Sequence, residues 1–243
     1  VRLLDTSGPA EIAEVYRAFN QMAQDVEQAN SDRALLLAGV SHDLRTPLTR
    51  MRLSTELMSD VEPELTEGMI RDIEDMDAIL DQFMAYIRDG SAEPFQLCDL
   101  NELISEVVAP LNTAEQPIGL YLQPVPELAL RRLSIKRLLT NLVENALNHG
   151  GTGVELTSYL DRSSLEPCAV VSVLDRGPGV DQSEGEDLFT PFIRGDRARS
   201  TKGTGLGLAI VKRIADSQSI SVQLLNRSGG GTEARVRIPL TLH

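Results

Sequence analysis

The stretch LAGVSHDLRTPLTRMRLSTELM, residues 37 to 58, sets Leu37, Leu44, Met51 and Met58 seven residues apart, with Val40, Leu48 and Thr55 at the second position of the repeat. A seven-residue apolar repeat marks a helix packed along its length against other helices. After an acidic, proline-containing break, SDVEPELTEG, the residues Ile70, Ile73, Leu80, Met84 and Ile87 continue the pattern up to Arg88. Two helices of similar length with a short connection make an antiparallel hairpin. One hairpin is too thin to bury both stripes, so a second copy completing a four-helix bundle is the simplest solution, and a homodimer is expected. The competing arrangement lays the hairpin on the rest of its own chain.

Within this helix stand a histidine, His42, and a proline, Pro47. A core histidine and a simple kink are the plain explanations. His42, however, lies five residues past the seam position Leu37, about 140° around the helix at 3.6 residues per turn, which turns it toward water. An ordinary imidazole pKa of about 6.5 leaves a neutral, nucleophilic fraction at neutral pH. Thr46 falls one turn below it on the same face, and Pro47 removes a backbone donor and is expected to bend the helix.

Upstream, residues 9 to 30 begin with a proline and place Ile12, Val15, Phe19, Met22 and Val26 at three- and four-residue steps, an amphipathic helix. Downstream, the turn-rich DGSAEPFQL, 89 to 97, ends the periodicity and marks a domain boundary. Beyond it DLNELISEVVAPL reads as a helix with Asp99 as N-cap and Glu102 completing a capping box. Strand-like runs follow at 154–160, 169–175, 222–226 and 233–240, interleaved with helical LSIKRLLTNLVENALNH and GLGLAIVKRIADS. Strands and helices without a strict βαβ beat predict an α+β sandwich, a sheet with helices on one face.

At 243 residues and 42% hydrophobic content the chain is globular, with room for one large domain or two ordinary ones. A formal net charge of -13 argues against nucleic acid as a partner, because that affinity rests on clustered Lys and Arg. Cys98 and Cys168 form no CxxC pair and fit a reducing compartment better than a disulfide scaffold. The longest apolar runs, such as ALLLAGV at 34–40, fall far short of the roughly 20 residues of a membrane span. The chain shows neither an initiator Met nor a signal-peptide pattern, and reads as a fragment of something longer.

Three further constellations carry chemistry. In NLVENALNHG, 141–150, Asn141, Asn145 and Asn148 share one side of a helix. Their amides can offer carbonyl oxygens to a hard cation or NH2 groups to phosphates, and the plain alternative is a solvated polar face. In AVVSVLDRGPGV, Asp175 ends an apolar strand and is followed by Gly177 and Gly179, where backbone can approach a flat ligand. A carboxylate there can accept a hydrogen bond from an exocyclic amine such as that of adenine, and the plain alternative is an ordinary turn. In KGTGLGLAIVKRI, Gly203, Gly205 and Gly207 lead into a helix whose free N–H groups suit phosphate. No GK[ST] follows, and the preceding RGDRARSTK is no strand, so neither a P-loop nor a dinucleotide fingerprint fits. What remains is a glycine-hinged lid, with Lys202, Arg194, Arg197 and Arg199 supplying charge nearby. Phe189 and Phe192 in LFTPFIRG are expected to pin a loop to the core.

Taken in order, SHDLRTP, NLVENALNHG, DRGPG, FTPF and GTGLGL resemble the H, N, G1, F and G2 boxes of sensor histidine kinases of two-component systems, over residues 9 to 242. The segment AGVSHDLRTPLTR looks like the EnvZ osmosensor type, and GPAEIAEVYRAFNQMAQ is similar to the second helix of a HAMP relay domain. The resemblance implies the end of a HAMP helix over 1–30, a dimerisation and phosphotransfer domain over 31–92, and a catalytic domain of the Bergerat ATP-binding type over 93–243. It makes His42 the phosphoacceptor, Asp43 the general base, and Thr46 a residue supporting phosphatase action on the regulator. ATP and Mg2+ are the implied cofactors, with Asn145 the principal metal ligand and Asn141 assisting. Asp175 becomes the adenine reader over Gly177 and Gly179, while Asn148 and His149 lie near the phosphates. The run Lys202, Gly203, Thr204, Gly205, Leu206 and Gly207 forms the lid. The implied partner is a receiver domain, OmpR-like by resemblance, and the implied place is the cytoplasmic portion of an inner-membrane protein whose membrane segments lie outside this chain. Asp43 stands where Glu is commoner, and DSQSISV replaces the usual His or Asn followed by glycines. The rival functions are a plain ATPase on the same sandwich, which needs no exposed histidine, and a degenerate scaffold that only dimerises.

Overall fold

The structure is a computed structural model that describes residues 10–57, 63–87, 93–150, 153–163, 166–181, 187–193 and 205–240; within its helices some side chains, His42 among them, also lie outside what is described. The chain divides into two compact units, Val1–Ile87 and Arg88–His243.

The first unit is helical. Helix α1 (Ala10–Leu57) runs unbroken through Pro47, and α2 (Pro63–Ile87) packs against it. Pro47 has no N–H to give the Asp43 carbonyl, yet the helix continues on both sides of it. The two helices meet through Ser41, Leu48 and Thr55 on α1 and Thr66, Ile73, Met84 and Ile87 on α2, all buried. Cross-helix ion pairs flank this seam: Arg45 pairs with Asp81 and stands 3.9 Å from Asp77, and Arg52 reaches Glu74.

The single hairpin buries only part of the apolar pattern read from the heptads. Leu44 and Met51 are 47% and 55% exposed, Val40 is exposed too, and only Leu48 and Thr55 of the seven-residue series pack inward, joined by Ser41. The physical reason is that each helix of a lone hairpin can bury one stripe, whereas these helices carry two. Met69, Met76 and Ile79 form the matching exposed stripe on α2. Leu44 and Met51 thus lie on the stripe that the single hairpin leaves exposed, and the His42 side chain lies outside the described residues. Met58 lies outside the described residues.

The second unit is an α+β sandwich. A five-stranded sheet of order β2-β4-β5-β7-β6 is built from β2 (Ile118–Leu122), β4 (Val154–Asp161), β5 (Cys168–Leu174), β6 (Ser221–Asn226) and β7 (Thr232–Pro239). The β2/β4 pair is parallel and the others antiparallel. Helices α3 (Leu100–Val108), α4 (Arg132–Gly150) and α5 (Gly207–Ser217) form the second layer, with α4 packed on α3, α5 and the sheet. Alternation along β7 shows why one face is covered. Ala234, Val236 and Ile238 are buried, while Glu233, Arg235 and Arg237 point to the other face, where Glu233 accepts from Ser172 and Arg235, and Arg237 pairs with Asp161.

Asp99 caps α3 as its sequence predicts, its carboxylate accepting from the Asn101 and Glu102 backbone N–H groups. Sequence patterning missed the small antiparallel pair β1 (Gln96–Cys98) and β3 (Leu128–Leu130), together with β2. Three-residue strands leave no alternation to detect, and the exposed Leu120 and Tyr121 blur it in β2. After α5 the chain turns on Ser219 in the left-handed conformation, φ 55°, at the position where the resemblance leads one to expect glycine.

Candidate functional site

Helix α4 brings the amides to the site because its opposite side is apolar. Ile135, Leu138, Leu139, Leu142, Val143 and Ala146 are buried, which turns Asn141, Asn145 and Asn148 toward the rim. Asn141 and Asn145 are half-buried, and Asn148 is exposed. The Asn141 side-chain nitrogen donates to the Arg137 carbonyl at 2.8 Å. Its Oδ1 faces Gly207, the first residue of α5, where a Cβ would stand 3.3 Å away. Beside Asn145, desolvation pushes the Glu144 carboxyl above the usual carboxylate range.

Asp175 ends β5 with only 6% of its surface exposed. Its Oδ1 accepts from the backbone N–H groups of Gly177 at 2.8 Å and Thr232 at 2.9 Å. Its own N–H donates to the Thr232 carbonyl, and its carbonyl accepts from Arg227 Nη1 at 2.7 Å. Three glycines from three segments close around it. A Cβ on Gly150 would meet the Asp175 Cβ at 2.2 Å; one on Gly231, which has φ +100°, would meet the Asp175 carbonyl oxygen at 2.1 Å. A Cβ on Gly177 would meet the His149 carbonyl at 2.5 Å. Side chains are excluded at all three positions, so backbone crowds the carboxylate and fixes it. Gly179, at φ +77°, sits where Asn226 locks the loop by two 2.8 Å bonds with the Val180 main chain.

The structure thus joins the end of the amide-bearing helix, His149 and Gly150, to the Asp175 loop. It adds Gly150, Arg227, Gly231 and Thr232, which the sequence reading missed. The signal for three of these was present in RSGGGT, 227–232, a triple glycine before a strand.

The lid is described only at its end. Gly205 has φ +72° and its carbonyl accepts from the Phe192 N–H; Leu206 is fully buried, and Gly207 opens α5. Lys202, Gly203, Thr204, Arg194, Arg197 and Arg199 lie outside the described residues. Phe192 does not pin its loop to the core. It is 63% exposed with φ 65°, and the loop is held by that backbone bond instead, with Phe189 half-buried. In the first unit Asp43 and Thr46 are exposed on α1, flanking Arg45 and its ion pairs.

Among the described residues no group of three or more His, Cys, Asp or Glu is arranged to hold a metal. The donors that remain near the glycines are the amide oxygens of α4, hard ligands of the kind that suit Mg2+ with water and phosphate completing its shell.

The two units are a helix pair and a glycine-crowded α+β sandwich, and each matches a known domain. Residues 32–91 match the His Kinase A (phospho-acceptor) domain, and residues 131–242 match the histidine kinase-, DNA gyrase B-, and HSP90-like ATPase family. The chain belongs to the sensor histidine kinases. It is 34% identical over 242 residues to the sensor histidine kinase GtrS of Pseudomonas aeruginosa, covering 97% of this chain and 48% of that protein. It is 31% identical to the sensor protein RstB of Escherichia coli, covering 92% and 52% respectively. The chain therefore spans about half the length of the curated relatives it matches. Among solved structures, the nucleotide-free catalytic domain of the histidine kinase ThkA superposes with a TM-score of 0.51 at 28% identity, covering 60% of this chain and 96% of that domain.

Proposed function

We propose that this chain carries the phosphoacceptor and catalytic parts of a sensor histidine kinase, in which ATP bound by the second unit phosphorylates His42. The observation that carries this reading is the buried Asp175 carboxylate, held by Gly177 and Thr232 and crowded by three glycines at the end of the amide-bearing helix. Both backbone bonds fall on Oδ1, which leaves Oδ2 for the exocyclic amine of adenine. Gly177 and Gly179 floor the base; Asn148 and His149 lie toward the phosphates, and the run from Lys202 to Gly207 covers them. Asn145 and Asn141 would hold Mg2+, and its charge would offset that of the phosphates.

The reaction is positioning and electrostatics more than covalent chemistry. An imidazole nitrogen of His42 attacks the γ-phosphorus, a P–N bond forms and the bond to the ADP oxygen breaks. Asp43, next in sequence and exposed, takes or orients the imidazole proton. The phosphoryl group then passes to an aspartate of an OmpR-like receiver domain, and Thr46 supports its later hydrolysis from that regulator. Residues 1–30 serve as the end of a HAMP relay, 31–92 as the dimerisation and phosphotransfer domain and 93–243 as the catalytic domain. The working form is a homodimer at the inner face of a membrane. No described helix is long and apolar enough to cross one.

The test is autophosphorylation from γ-labelled Mg-ATP. Asn145→Ala and Asp175→Asn are each expected to lower labelling by at least about a hundredfold, the scale of losing a preorganised charge-stabilising group. Labelling within threefold of wild type in both variants contradicts the assigned site.

A further inference from the structure

The amide-bearing helix has a poor N-terminus of its own. Arg131 occupies the cap position, Arg132 opens the helix, Lys136 and Arg137 follow, and the first turn holds no acidic residue. Positive charge there opposes the helix dipole, and arginine cannot satisfy the free N–H groups. The missing acceptor comes from Glu93, in the segment where the chain enters the second unit. Glu93 Oε1 accepts from the Leu133 N–H at 2.6 Å, and Oε2 accepts from the Ser134 N–H at 3.0 Å and the Ser134 hydroxyl at 2.8 Å. Two residues on, the Phe95 ring lies 4.7 Å from the Arg131 guanidinium.

The same turn is tied to α5. The Arg131 N–H donates to Oε1 of Gln218, the buried C-cap residue of α5, at 3.0 Å. Arg131 Nε and Gln218 Nε2 are buried without hydrogen-bond partners among the described residues, so two polar groups stay unsatisfied to keep this junction closed. At its other end α5 begins with Gly207, against Asn141 Oδ1. A contiguous route of packed and bonded groups thus runs from Glu93 through the first turn of α4 to Gln218, along α5, and back to the amide row about 13 Å down α4.

We propose that Glu93 is a positioning residue for the nucleotide site: its carboxylate, delivered by the segment linking the two units, caps α4 and holds α4 and α5 in the register that presents Asn141 and Asn145. Nucleotide affinity then depends on whether this linking segment is seated, so displacement of the segment weakens ATP binding without touching the site itself. The inference rests on the second unit being the ATP site.

The test uses the whole chain with Glu93→Ala, Glu93→Gln and Ser134→Ala. Glu93→Ala is expected to raise KM for Mg-ATP about three- to tenfold, the range of a lost helix cap, with kcat of autophosphorylation within about twofold. Glu93→Gln keeps the shape but points an amide at donors, and is expected to approach Glu93→Ala. Ser134→Ala keeps both backbone bonds and is expected to fall between these variants and wild type. Hydrogen exchange without nucleotide is expected to show faster exchange at the Leu133 and Ser134 amides in Glu93→Ala. A lowered melting temperature with unchanged KM overturns the positioning role, and unchanged exchange at those amides overturns the cap. A wild-type chain that binds no ATP defeats the nucleotide-site reading instead, while the exchange measurement still decides whether Glu93 caps α4.

Discussion

The hairpin unit and the catalytic unit differ in how far they bury their large apolar side chains. In the hairpin, Val40, Leu44, Met51, Met69, Met76 and Ile79 lie on the surface of the single chain, each close to half exposed. In the catalytic unit, Leu138, Leu139, Leu142, Leu156 and Ile210 are almost completely buried beneath a covered sheet. A contiguous apolar surface of that kind marks a place where another molecule completes the fold. The catalytic unit closes its own core between helices and sheet, and it has to, although Leu97, Tyr121, Leu133 and Phe192 stay exposed at its surface. A carboxylate crowded by three glycines keeps its position only if the layers behind it are closed. In the proposed function the first unit is finished by a second copy, and the second holds nucleotide within its own fold.

The largest effect that can break this contrast is on assembly. Leu44→Glu combined with Met51→Glu removes two stripe residues, each contributing about 1.5–3 kcal/mol when buried. The dissociation constant of the dimer is expected to rise at least about a hundredfold, measured by sedimentation, while Mg-ATP affinity stays at the wild-type value. A dimer that survives places the interface elsewhere on the chain.

Next in size is damage confined to the catalytic unit. Gly231→Val combines a positive φ with a Cβ 2.1 Å from the Asp175 carbonyl oxygen, and is expected to destabilise that unit by about 3 kcal/mol or more in denaturant unfolding. Dimerisation should be unaffected. A variant with wild-type stability means that the β6–β7 turn yields more readily than its packing implies.

A smaller effect sharpens the account of the open sheet face. Hydrogen bonds from the Ser163 hydroxyl and N–H, then from Arg237, hold the Asp161 carboxyl down to about 2, against an ordinary value of 3.8. Because the folded value is the lower one, the contribution is complete above the unfolded pKa and is lost as pH falls from about 4 toward 2. The melting difference between wild type and Asp161→Asn is therefore expected to be largest above pH 4 and to close by about pH 2. A difference constant across that window contradicts the pairing.

Much of this organisation is legible in the chain. The Asp99 cap, the four long strands and the helices between them follow from local patterns, because each is decided by neighbours in sequence. The five motifs in order carry the family. The apolar stripes of the hairpin are legible too, but a heptad series does not say which stripe its own second helix takes; Leu44 and Leu48 look alike until that helix is present. Gly150 and Gly231 were missed for a different reason. What forbids a side chain at either position is Asp175, distant in sequence and adjacent only in the folded sheet. Glu93 is similar, since nothing in AEPF announces that the helix it caps begins at Arg132.

The most direct test of the central claim, that the catalytic unit phosphorylates the hairpin, is to map the phosphate on the intact chain after incubation with Mg-ATP. The account predicts one acid-labile, base-stable phosphoryl group on His42, absent from His42→Ala even though that variant binds Mg-ATP with wild-type affinity. Phosphate on a serine or threonine, or labelling that persists in His42→Ala, contradicts it.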